Sequence, residues 1–201
     1  TMADAAWDAV SGLAKFKDRK VEARTLMVLY PNKMHVVTTE ASGIKTLADL
    51  KGKRISTGEP NSGTEVMAMR LLEAAGIDKD VQRERLSVAE GVNAIKDRKI
   101  DALIWVGGLP TAAITDLATT PGITLKLIDH AQYADAMNKK WGPLYVKGTI
   151  PANTYKGQTA DVGNLDVWNL LVADKKMSDQ QAYTIVKTLI EKKDELVAVH
   201  R

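Results

Sequence analysis

The sequence predicts an α/β fold, and three observations carry that prediction. Strand-like and helix-like segments alternate along most of the chain, the order expected of a parallel or mixed sheet with helices on both sides. Two of the strand-like runs lead through a Gly-containing loop straight into a helical pattern. One of those runs, Ile100-Asp101-Ala102-Leu103-Ile104-Trp105-Val106, is almost continuously apolar, as in a strand buried on both faces.

Taken in order, residues 3–13 have helical periodicity. Leu26-Met27-Val28-Leu29-Tyr30 and Met34-His35-Val36-Val37-Thr38 read as strands joined by a turn at Pro31-Asn32. Residues 46–51 form a short helix stopped at Gly52. Arg54-Ile55-Ser56-Thr57 is a strand and 65–75 a helix, with Gly76 placed to end it. A helix over 88–98 precedes the apolar run at 100–106, and a helix over 111–118 follows it. Thr124-Leu125-Lys126-Leu127-Ile128 is a further strand and 131–140 a further helix. Residues 141–165, with Pro143 and Pro151, read as irregular. A strand over 167–173 and an amphipathic helix over 179–199 close the chain.

Composition narrows the function. With 201 residues the chain forms one large domain or two small lobes. Its 28 Lys and Arg against 25 Asp and Glu leave a net charge of +3, too little to argue for nucleic acid or a membrane surface. Zero Cys excludes a disulfide, a Cys-ligated metal and a thiol nucleophile. No apolar run reaches the roughly 18 residues of a membrane span. Thr1-Met2-Ala3-Asp4 already leads into a helical pattern with no signal peptide ahead of it, so the chain is expected to begin inside a longer protein.

The chemistry concentrates in Gly58-Glu59-Pro60-Asn61-Ser62-Gly63-Thr64-Glu65. A Gly-rich loop that leaves a strand and opens a helix points free backbone N–H groups one way, and the helix dipole adds partial positive charge. The spacing of Gly58 and Gly63 imitates a phosphate loop, but Thr64 and Glu65 stand where such a loop needs Lys and Ser or Thr. A small anion of low charge, such as a carboxylate, fits better than a nucleotide. The plainer reading is a capping box, Ser62 to Glu65, of a kind repeated at Ser87 to Glu90 and Ser178 to Gln181.

A second loop, Gly107-Gly108-Leu109-Pro110, follows the apolar strand, with Pro110 suited to the first turn of the next helix. Ligands of open α/β sheets sit at the carboxyl ends of strands, where such loops gather; close packing of strand on helix also favours Gly. Catalytic groups do not assemble. His35, His130 and His200 are far apart in sequence, and His35 reads as a surface or hydrogen-bonded histidine rather than a base. No Gly-x-Ser-x-Gly elbow and no His-Glu-x-x-His helix is present. Tyr30, Trp105 and Trp141 are candidate cleft walls, although each type is common in cores.

Leu29-Tyr30-Pro31, the phrase from Ser42 to Arg54, Asn61-Ser62-Gly63-Thr64-Glu65, Trp105-Val106-Gly107-Gly108-Leu109-Pro110 and Ile150-Pro151-Ala152-Asn153-Thr154-Tyr155 together resemble the TAXI family of TRAP-transporter solute receptors. The resemblance covers nearly the whole chain but only the middle and end of the family pattern. It implies a periplasmic-binding-protein fold of type II with two α/β lobes: a complete one over 43–129, and one from 1–42 plus 130–201 that lacks its N-terminal part. It also implies a periplasmic receptor, not an enzyme, that hands glutamate, glutamine or a related dicarboxylate to an ion-gradient-driven TRAP permease without a cofactor or metal. Asn61, Ser62, Gly63 and Thr64 would hold the anionic group. Gly107 and Gly108 would let the ligand approach the backbone, with Trp105 close by and Pro110 among the ligand-binding residues, and Tyr30 would lie near the hinge. The incomplete lobe would leave unpaired edges that favour self-association. Two alternatives stay open: an enzyme of the same fold with Glu59 or Glu65 as base, which requires a carboxyl of raised pKa, and the ligand-sensing domain of a regulator, which requires a broad apolar dimer face.

Overall fold

Seven strands form one mixed sheet. The computed structural model of the protein describes residues 1–199, so His200 lies outside them. In chain order the strands are β1 (Ala23–Thr39), β2 (Arg54–Ser56), β3 (Gln82–Glu84), β4 (Ala102–Gly107), β5 (Leu125–Leu127), β6 (Tyr145–Ile150) and β7 (Val162–Asp174). The helices are α1 (Ala3–Ser11), α2 (Gly63–Ala74), α3 (Val88–Lys96), α4 (Ala112–Thr119), α5 (Ala134–Trp141), α6 (Asp179–Glu191) and α7 (Lys193–Val199). The sheet order is β3-β2-β4-β1-β7-β6, with β5 beside β1. Strand β2 is parallel to β3 and β4, whereas β1 runs antiparallel to β4 and β5, and β6 to β7.

The chain divides into two compact units, Pro31–Val167 and Thr1–Tyr30 with Trp168–Arg201. The divisions fall within β1 and within β7, so the larger unit extends beyond 43–129 on both sides.

In the larger unit, Met34, Val36 and Val37 of β1 are fully buried, as are Ala102, Leu103 and Ile104 of β4. Alternation divides these residues between two helical layers. Val37 and Leu103 join Val92 and Ile95 of α3 and Ile114 and Leu117 of α4 in one cluster. The other layer is α2 and α5, which pack on each other, with α2 against β4. Met67, Leu71 and Leu72 of α2 and Met137 of α5 are fully buried there. Arg54 and Asp101 clamp the parallel strands: Asp101 accepts from the Arg54 backbone N–H at 2.9 Å and from its guanidinium at 2.8 and 3.1 Å.

In the smaller unit, Thr1 and Leu170 exchange backbone hydrogen bonds of 2.9 and 2.7 Å. Lys175 bonds Glu22 through its backbone N–H and its ammonium, both at 3.0 Å. Every buried apolar residue among those described lies between Met34 and Val167, so this unit has none.

Four local expectations change. The turn at Pro31-Asn32 is absent: β1 runs through it, and Pro31 precedes Lys33, where pairing with β4 begins, so its missing N–H costs that ladder nothing. Residues 141–165 are not irregular throughout, since they hold β6 and the start of β7. Strand β3 was not anticipated. The closing amphipathic segment is two helices, α6 and α7, interrupted at Lys192.

Candidate functional site

The loop after β2 takes its shape from two residues in the left-handed region, Gly58 at φ 90° and Asn61 at φ 64°. Gly58 also has a neighbour that forbids a side chain, because a Cβ there would lie 2.6 Å from Thr64 Cγ2. Ser62 caps α2 by accepting from the Glu65 N–H at 3.1 Å. The capping box is half formed: Glu65 reaches back to the Asn61 N–H at 2.6 Å rather than to Ser62. Asn61 is exposed, Ser62 and Gly63 are half-buried, and Thr64 is buried. Thr64 therefore does not face an open cleft with its whole side chain. Its Oγ1 accepts from the Val106 N–H at 3.4 Å, which ties this loop to the end of β4. In these bonds both hydroxyls act as acceptors, and each retains an O–H proton for a further partner.

The loop after β4 is organised by Trp105. Its indole folds back over Gly107, where a Cβ would lie 2.7 Å from Nε1, so the space above Gly107 belongs to Trp105 itself. Trp105 Nε1–H donates to Thr111 Oγ1 at 3.0 Å, and the Thr111 hydroxyl donates to the Gly108 carbonyl at 2.9 Å. Gly108 is exposed, with open space where a Cβ would stand. Pro110 is exposed, and its bond to Leu109 is cis. It precedes the N-cap, Thr111, instead of occupying the first turn of α4. The Thr64–Val106 bond thus joins the two loops within the unit Pro31–Val167. Tyr30 belongs to the other unit, where it is 54% exposed.

Two charged residues escaped the sequence reading. Strand β3 lies beside β2 in parallel and delivers Arg83 and Arg85 to the α2 entrance. Arg83 Nε–H donates to Thr57 Oγ1 at 2.8 Å, and its guanidinium pairs with Glu65. Arg85 Nε meets the same Glu65 carboxylate at 2.7 Å. Burial alone would push the Glu65 carboxyl up, but the Asn61 N–H and the Arg85 and Arg83 charges outweigh it and hold it below the usual carboxylate range. Glu65 is therefore an ionised structural partner and lacks the raised pKa a base requires. Two cations against one carboxylate leave a local positive excess beside the helix amino end.

His35 and Tyr155 complete the surroundings. His35 is fully buried in β1, opposite Trp105 in register. Burial lowers its pKa from 6.5 to about 4, so it is neutral. Its Nδ1 is 3.1 Å from the Lys33 carbonyl and its Nε2 is 3.0 Å from the Tyr155 hydroxyl. Tyr155 Oη also accepts from the Thr111 N–H at 3.0 Å. Among the described residues no group of three or more His, Cys, Asp or Glu side chains could hold a metal ion, and no helix is long and apolar enough to cross a membrane.

This arrangement, two loops at the carboxyl ends of neighbouring parallel strands with N–H and O–H donors and excess positive charge, can hold a small anion. A match to the family model runs over residues 1–201. The chain belongs to the NMT1-like family. Its fold is that of periplasmic-binding-protein-like structures. The periplasmic aliphatic sulphonate binding protein SsuA from Escherichia coli is 15% identical, with a TM-score of 0.52 over 96% of this chain and 55% of its own. A mutant of ArgBP from T. maritima is 11% identical, with a TM-score of 0.50 over 97% of this chain and 70% of its own. This NMT1-like chain thus spans about half the length of SsuA.

Proposed function

We propose that this NMT1-like chain is part of an extracytoplasmic solute receptor of the TAXI type. It binds a small carboxylate, glutamate, glutamine or a related dicarboxylate, and delivers it to an ion-gradient-driven TRAP permease. The observation that carries this reading is the Thr64–Val106 bond, which sets the α2 amino end beside the loop 107–110. The backbone N–H groups at Gly63 and Thr64, with the Ser62 and Thr64 hydroxyls, receive the carboxylate, and Arg83 and Arg85 add attraction at longer range. The same donors suit a sulphonate, the ligand class named for SsuA. Trp105, Gly108 and Pro110 contribute walls. The apolar residues exposed on the smaller unit, among them Trp7, Val28, Leu29 and Trp168, favour self-association.

Calorimetry with L-glutamate, L-glutamine, succinate and methanesulphonate tests the reading. Ser62→Ala with Thr64→Ala removes two hydrogen bonds to a charged group, and affinity falls about tenfold or more. Unchanged affinity in the double variant rejects the anion site.

A further inference from the structure

We propose that Tyr155 is the positioning residue of the 105–110 loop, holding it to the central strand β1 through His35. The inference rests on reading that loop as a ligand wall. Carbonyl oxygens only accept, so the Lys33 carbonyl requires the proton of neutral His35 on Nδ1. Nε2 is then an acceptor, and the Tyr155 O–H donates to it at 3.0 Å. The remaining lone pairs of Tyr155 Oη accept the Thr111 N–H at 3.0 Å. Thr111 in turn accepts from the Trp105 indole at 3.0 Å and donates to the Gly108 carbonyl at 2.9 Å.

Every donor in this relay has one assigned acceptor: the His35 tautomer fixes the direction of the Tyr155 bond, and the backbone N–H, the indole N–H and the carbonyl fix the others. The relay passes through His35, which is fully buried in β1, and ends on Trp105 and Gly108, two of the residues proposed to meet ligand. Tyr155 is itself buried, at 2% exposure, and its ring meets His35 edge-on at 5.8 Å. It also takes the Thr111 N–H at the N-cap of α4. Tyr155 touches no ligand in this scheme; it sets where Trp105 and Gly108 stand.

The test reads the Trp105 indole N–H resonance in a ¹⁵N-labelled full chain, assigned with Trp105→Phe, beside L-glutamate affinity. Tyr155→Phe keeps the ring and removes the hydroxyl: the resonance shifts, its exchange with water accelerates, and affinity falls about tenfold. His35→Gln offers an amide oxygen to the Tyr155 hydroxyl and preserves both readouts, whereas His35→Leu moves the resonance. Should Tyr155→Phe fail to fold, the contrast between Gln and Leu at position 35 carries the test. A Trp105 resonance indifferent to Tyr155→Phe and His35→Leu overturns the proposal. A wild-type chain that binds none of the four probe anions, with a resonance that still moves in Tyr155→Phe, overturns the ligand reading and leaves the positioning role standing.

Discussion

At the scale of single residues, His35 makes acid stability measurable. Its folded pKa, about 4, lies below the unfolded value of 6.5 because burial penalises the charged ring. The unfolded chain therefore binds the extra proton first. The contribution to stability is complete above pH 6.5 and is lost as the pH falls towards 4. The full difference is worth roughly 3 kcal/mol. Buried His130 is displaced in the same direction for the same first reason. Urea titrations at pH 7.5, 5.5 and 4.5 should show the wild type losing more stability than His35→Gln across this range; parallel losses would remove His35 as a cause. At Gly107 the φ is ordinary and the obstacle is purely the Trp105 indole, so Gly107→Ala displaces the ring. Trp105 emission moving to the red is the expected signature, and an unmoved spectrum would contradict the close approach.

At the scale of elements, the α2 entrance couples a helix end to an ion cluster. Glu65 lies where it partly neutralises Arg83 and Arg85, beside the amino end of α2. Glu65→Gln keeps an oxygen able to accept from the Asn61 N–H and removes one negative charge. Affinity for a small dicarboxylate should rise severalfold, more at low salt than at high. A fall in affinity would show that Glu65 assists the ligand instead of competing with it. The glycine loops were legible in the sequence because Gly58, Gly63, Gly107 and Gly108 mark where regular structure stops. The arginines were not: β3 is three exposed polar residues, with no apolar alternation to mark a strand. Its place beside β2 is a tertiary fact. Strand β6 and the start of β7 were hidden by Gly148 and Gly163, whose missing side chains make room for the Asp166 and Asp129 carboxylates. Such glycines look like loop in one dimension. Likewise, nothing local ties His35 to Tyr155, which lie 120 positions apart.

For the whole molecule, alternation of strands and helices was enough to predict a mixed sheet between helical layers, because burial on both faces imposes apolar runs such as 100–106. The boundary between units was not legible, since β1 and β7 cross it without a break in strand pattern. The distribution of buried apolar surface across that boundary gives the last prediction. Burial of apolar groups supplies most of the driving force for folding, and among the described residues the fully buried apolar side chains all lie between Met34 and Val167. Helix α6 buries none of its residues, and Tyr183 and Ile190 on it are 62% and 64% exposed. Local opening free energies follow buried contacts, from near zero at exposed elements to the global value in the core. Amides of α6 should therefore exchange with deuterium orders of magnitude faster than those of β4 and of β1 from Met34 to Val37. Brief digestion with a nonspecific protease should trim 1–22 and 175–199 before it cuts within 31–167. Protection of α6 equal to that of β4 would mean that apolar surface, in a longer chain or a second copy, covers this unit in solution.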